Sequence, residues 1–107
     1  MNDYLSHDTG WRRDAGATRD FTLRGKDLVV ELRPWAANET CVCAPSPDLP
    51  EELGSVLEGE FELTCGDERH LLKAGMGILV PPREAHTWRA LTANAVLYRV
   101  FGPRPRA

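Results

Sequence analysis

The side chains best suited to chemistry in this sequence are two cysteines one residue apart, Cys41 and Cys43, the carboxylate of Glu52 and the imidazole of His86. On a β-strand, side chains two positions apart face the same side, so Cys41-x-Cys43 would present two sulfurs together. Thiolates favour zinc, iron or copper(I) over magnesium or manganese. The same pair has two other uses: packing inward as small apolar groups, or redox chemistry. A disulfide between them would be strained. Glu52 stands beside Glu51 and is either a solvated strand start or an inward carboxylate. Facing inward with no metal or other cation beside it, its pKa would be raised by burial, which would make it an acid or base. His86 follows the Pro81-Pro82 turn and shares strand parity with Trp88. An unperturbed imidazole, with a pKa near 6.5, suits proton transfer at neutral pH. His7 lies in a polar stretch and His70 among charged residues, which places both at the surface.

The elements that must position these groups are short. The chain has 107 residues, one domain's worth. A formal net charge of -3 argues against a nucleic-acid binder, and no apolar stretch approaches the roughly 20 residues of a membrane helix. The polar N-terminus has no apolar signal core, so the expected location is cytoplasmic, with reduced thiols. Nine glycines and eight prolines separate short apolar or alternating runs. These are Leu28-Leu32 ending at Pro34, Ser55-Leu57, the strictly alternating Glu60-Cys65, Arg69-Leu72, Gly77-Val80, His86-Arg89 and Ala95-Phe101. Many short strands with regular turn residues predict an all-β sandwich or barrel. Gly66-Asp67 reads as a hairpin turn, and Ala44-Pro50, with its three prolines, as an extended loop. The expected organisation is a polar arm over 1–20, a barrel over 21–102 and a disordered tail over 103–107.

Against this background two spacings stand out. Glu52 is followed after six residues by Gly59, and Gly75 after five by Pro81, with His86 five positions later. The stretch Val56-Leu57-Glu58-Gly59-Glu60-Phe61 lies inside the first spacing. Together they resemble the two motifs of the cupin family, over roughly residues 28–101. The resemblance implies a double-stranded β-helix, the jelly-roll cupin barrel, with Glu52 and His86 inside it. In metal-binding cupins a His-x-His pair, the glutamate and the second-motif histidine hold one divalent ion. Here the His-x-His pair is missing, since no histidine lies between His7 and His70, and Arg83 and Ala90 stand where the family has glycine and asparagine. One register puts Ser46 and Asp48, or Pro45 and Pro47, in the vacant positions, and another puts Cys41 and Cys43 there. The expected metal set is Glu52, His86, Cys41 and Cys43, for zinc, iron, manganese, nickel or copper, with the metal absent if the lost half is not replaced.

Phe61, Trp88 and Tyr98 are expected either to fill the barrel or to line a small apolar pocket, with Arg83 at its mouth or in a solvated turn. The resemblance implies a small-molecule enzyme of oxygenase, isomerase or cyclase type acting through Glu52 and His86, as in secondary metabolism. The alternative is a ligand- or metal-sensing domain working through a protein partner. A homodimer is expected, because small barrels leave strand edges exposed.

Overall fold

The structure is a computed structural model and describes residues 21–102. The expected arm and tail therefore lie outside the described residues. Nine strands run in order: β1 (Phe21–Arg24), β2 (Val29–Trp35), β3 (Thr40–Cys43), β4 (Glu52–Glu58), β5 (Glu60–Cys65), β6 (Glu68–Lys73), β7 (Gly77–Val80), β8 (His86–Ala90) and β9 (Ala95–Phe101). Among the described residues there is no helix. The strands form two antiparallel sheets, one of order β1-β2-β9-β4-β7 and one of order β3-β8-β5-β6. This is the expected all-β jelly roll.

The two sheets close over a core drawn from alternate positions of their strands. On β4 the inward set is Glu52, Gly54 and Val56, on β5 it is Phe61, Leu63 and Cys65, and on β8 it is His86, Trp88 and Ala90. Three rings fill the middle. Trp35 meets Phe61 edge-on at 5.3 Å between centroids, and Phe61 meets Trp88 edge-on at 6.3 Å. Such edge-to-face pairs add roughly 0.5–1.5 kcal/mol each to the gain from burial. Phe61 and Trp88 therefore pack the interior rather than line an open cup.

Several turns obey the expected chemistry. β5 and β6 are joined through Gly66-Asp67, with Gly66 at φ +57. β2 differs from the expectation that it stops at Pro34: it runs through that residue, which pairs with Val96 of β9. β1 is too short to reach Pro34, because its last partner in that direction is Leu32, so the missing N–H has no ladder to break. Arg83, where the family has glycine, sits at φ 66 and is exposed in the β7–β8 turn. A left-handed backbone costs a non-glycine residue roughly 1–2 kcal/mol.

One glycine decides how the two sheets meet. A Cβ on Gly54 would lie 2.5 Å from two carbons of the Trp88 indole. The Trp88 ring thus lies directly against the β4 backbone, a position that any side chain at 54 would deny it. Gly54→Ala is expected to destabilise the fold by about 2 kcal/mol, as over-packed cores do, lowering Tm by roughly 10 °C in a thermal melt. An unchanged Tm would refute the close approach.

Candidate functional site

Glu52 is the centre of the buried polar groups. It is 2% exposed, and its carboxylate accepts four hydrogen bonds. Oε1 takes one from His86 Nε2 at 3.1 Å and one from Arg99 Nη2 at 3.0 Å. Oε2 takes one from Trp88 Nε1 at 2.8 Å and one from Arg99 Nε at 2.5 Å. Glu52 and Arg99 come from neighbouring strands of one sheet, while His86 and Trp88 come from β8 of the other. The carboxylate therefore bridges the two sheets across the core.

Arg99 completes the cluster. It is buried, and its Nη1 donates to Glu31 Oε1 at 3.4 Å and to Cys41 Sγ at 3.6 Å, while Nη2 reaches Cys43 Sγ at 3.8 Å. The Phe101 ring lies 4.9 Å from its guanidinium carbon. The candidate residues named from sequence did not include Arg99. Its signal was present: it is the one charged residue in the apolar run Ala95-Phe101, and it shares parity with Ala95 and Leu97. Alternation along β9 sends all three inward.

Two of its three partner residues reverse the effect of burial on Glu52. Burial alone would raise its pKa, but hydrogen bonds from His86 and Arg99, and the charges of both, hold it down at about 2. The cation that the sequence reading left out is Arg99. Burial pulls His86 downward, but hydrogen bonds to Glu52 and to the Glu84 carbonyl, with the Glu52 charge, carry it above its ordinary value. His86 Nδ1 lies 2.8 Å from that carbonyl oxygen. Both ring nitrogens thus face acceptors, an arrangement satisfied when the ring carries two protons. The Cys41 thiol is pushed up by its hydrogen bond with Cys43 and by burial, which outweigh the Arg99 charge.

The remaining candidates divide. Cys41 and Cys43 lie on β3 opposite Trp88 and His86, and both face inward. Ser46 and Asp48 stay in the loop, where Ser46 Oγ accepts from the Asp48 backbone N–H at 3.1 Å. Tyr98 is a correction. It alternates with the inward Leu97 and Arg99, pairs with Leu32 and Ser55, and so lies on the outer face of its sheet, away from Glu52. Arg83 is not brought to the cluster. His70, expected at the surface, is half-buried in the wall of a cavity of about 330 Å³ that also includes Cys65, Glu68 and Glu84. A second cavity, of about 260 Å³, is walled by Val42, Cys43, Pro45, Thr64, His86 and Thr87, among others, and lies against the outer face of the four-stranded sheet, to which Val42, Thr64 and Thr87 point.

A family model described as a cupin domain, Cupin_2, matches residues 44–101. The chain belongs to the cupin family. No curated protein matches this cupin in sequence. Among solved structures it is similar to KdgF from Halomonas sp., at 19% identity with TM-score 0.68, covering 80% of this chain and 78% of that one. It is also similar to an RmlC-like cupin from Shewanella frigidimarina, at 22% identity with TM-score 0.67, covering 81% and 77%. A third likeness is to an HTH_3 family transcriptional regulator from Vibrio cholerae, at 22% identity with TM-score 0.68, covering 81% of this chain and 51% of that one. These likenesses show a shared fold.

Cupins often hold a metal, and the ligand atoms of Cys43, Glu52 and His86 all lie within 4.8 Å of one another, a spacing that could hold an ion. The three are not alone, however. Both Glu52 oxygens are taken, and the Arg99 guanidinium stands against Glu52 and Cys43 together. With that side chain in place the donor set does not fit a divalent ion.

The pKa directions fix how stability follows pH. Glu52, lowered from 4.5 to about 2, contributes stability above pH 4.5 that is lost as pH falls toward 2, on the order of 3 kcal/mol. His86, raised above 6.5, contributes fully below pH 6.5 and loses that contribution as pH climbs through its folded value. The cluster is therefore most favourable between about pH 4.5 and 6.5. In carbon-13 NMR the Glu52 carboxyl should titrate near 2 and the His86 ring above 6.5. A Glu52 midpoint at or above 4.5 would contradict the four-donor arrangement.

Proposed function

We propose that this cupin is a small-molecule-binding domain of the sensing kind, and that its ligand occupies the 260 Å³ cavity on the outer face of the four-stranded sheet, behind the strands that carry His86 and Cys43. The observation that carries the reading is the saturation of Glu52. A carboxylate that already accepts four hydrogen bonds and is held at about pKa 2 has little basicity left for abstracting a proton. Its partners hold the two sheets together, and so fix the strands β3, β8 and β5 whose outer face forms the cavity.

The cavity is just below the roughly 300 Å³ at which small-molecule sites begin, so its occupant is compact. Val42, Ala44, Pro45 and Ala85 offer apolar contact, and the cross-strand pair Thr64 and Thr87 offers hydroxyls. This favours a small, mostly apolar molecule with a hydrogen-bonding group. That a transcriptional regulator from Vibrio cholerae carries the same fold supports a sensing role through a protein partner. The second reading is the enzyme. It is favoured by the buried pairing of an imidazole and a carboxylate, His86 and Glu52, inside the cup. In that reading His86 is the catalytic acid and Glu52 the group that keeps it charged.

A fragment screen by NMR on isotope-labelled protein tests the proposal. Hits should shift Thr64, Ala85 and Thr87, and Thr87→Val should weaken them about 3–10-fold, the usual worth of one hydrogen bond. Hits that map elsewhere would overturn the cavity assignment. Conversion of a bound hit over hours, abolished by His86→Asn, would establish the enzyme in place of the sensor.

We also propose a homodimer formed through the outer face of the five-stranded sheet. Leu23, Val30, Val100, Leu53 and Leu79 are cross-strand neighbours in one row over all five strands, and Leu53 and Leu79 are 40% and 59% exposed. A continuous apolar row of this kind supports an interface with a second copy. Light scattering at micromolar concentration should give twice the chain mass, and Leu79→Glu should halve it. A monomeric wild-type chain would defeat the proposal.

A further inference from the structure

We propose that Arg99 is a built-in replacement for a metal ion: its guanidinium supplies the positive charge of this cup, and Cys41, Cys43, Glu52 and His86 become a metal site once it is removed. The inference goes beyond the ligand reading and does not depend on what the cavity binds.

Position is the first argument. The guanidinium contacts three of the four side chains: Glu52 at 2.5 and 3.0 Å, Cys41 at 3.6 Å and Cys43 at 3.8 Å. The fourth, His86, shares Glu52 Oε1 with it. One planar cation with five donors thus lies among the groups that would otherwise surround an ion.

The second argument is charge. Only 3% of Arg99 is exposed, and an arginine does not lose its proton in a protein, so this charge cannot be shed to admit another. Bringing a dication to Glu52 would place it within a few ångströms of the guanidinium, and the carboxylates paired with Arg99 among the described residues are Glu52 and the partly exposed Glu31. Like charges that close in a buried site are strongly unfavourable.

The third argument is that the framework of a metal site is intact around the replacement. His86 anchors Nδ1 on the Glu84 carbonyl, which aims Nε2 into the cluster, as metal-binding imidazoles are commonly oriented. Cys41 and Cys43 point inward from β3 in register with Trp88 and His86. Removing the guanidinium would leave two sulfurs, one carboxylate and one imidazole around the space it vacates. That is a donor set suited to zinc or cobalt(II).

Cobalt(II) titration tests this by its own colour, independently of any ligand or activity. Wild-type protein with reduced thiols should show no thiolate-to-cobalt charge-transfer band at one equivalent. Arg99→Gln should show that band and bind cobalt(II) at least about 100-fold more tightly, the scale expected when a buried like charge is removed. Adding Cys41→Ser and Cys43→Ser to the variant should abolish the band. Arg99→Met, of similar length and without polar atoms, guards against a variant that fails to fold. Recovery of a cooperative melt when zinc is added to either variant also supports the proposal. A stoichiometric thiolate band in the wild type would overturn it. So would a folded Arg99→Gln or Arg99→Met that binds no cobalt, or failure of both to fold with and without the ion. None of these outcomes bears on the fragment screen, so the two proposals fail separately.

Discussion

The ion pair between Glu52 and Arg99 is the constraint around which the rest of this cupin is arranged. Both groups are almost wholly removed from water, and burying two charges costs several kcal/mol each unless every polar atom finds a partner. The fold meets that demand with a two-point contact from guanidinium to carboxylate, an indole N–H and an imidazole on the remaining acceptor sites, and Glu31 and two sulfurs on the remaining guanidinium donors. The pair need not make the protein more stable than an apolar core would. What it makes costly is any half of itself, since removing one partner strands the other, typically at 3–5 kcal/mol.

That requirement explains features that look unrelated along the chain. Trp88 reaches Glu52 because Gly54 leaves room for its ring against β4. The ring's other side closes the row of aromatic edges running through Phe61 to Trp35, so the polar cluster and the apolar core share one wall. At the far end of that row, Trp35 Nε1 is buried and has no hydrogen-bond partner among the described residues. Above Trp35, Arg33 stacks at 4.1 Å and is held in turn by Glu39 at 2.6 Å, which extends the charged network from Glu31 toward the β2–β3 turn. The interior of this barrel is thus packed on one side and paired on the other. The hollow proposed for a ligand lies behind this interior, on the outer face of the four-stranded sheet, where Thr64 and Thr87 pair across β5 and β8.

Much of the architecture could be read in advance because it follows from local rules. Alternation fixed the faces of β5 and β8, and Gly66-Asp67 marked a hairpin. The motif spacing brought Glu52 and His86 together from opposite sheets, and the i, i+2 rule placed Cys41 and Cys43 on one side of β3. Three positions escape these local rules. Pro34 was read as a strand end because a proline removes a ladder bond, which matters only where a neighbouring strand is present to receive it. Tyr98 was assigned to the pocket by residue type, while parity with Arg99 sends it to the other face. Glu52 was expected to be raised by burial in the absence of a cation, and its cation turned out to be an arginine from β9.

Residue order alone therefore determined which side chains face inward, because strand parity and turn chemistry act over a few positions. It also determined that a carboxylate and an imidazole would share the interior, because the spacing of the two motifs carries that information. Only the folded arrangement decided what stands between them. β9 runs beside β4, and that pairing of distant segments puts the guanidinium of Arg99 against Glu52 and the sulfurs of β3. A charge at one position can be read from the chain, but the partner that neutralises it is set by which strands lie side by side, and strand order is a long-range property of the whole sheet.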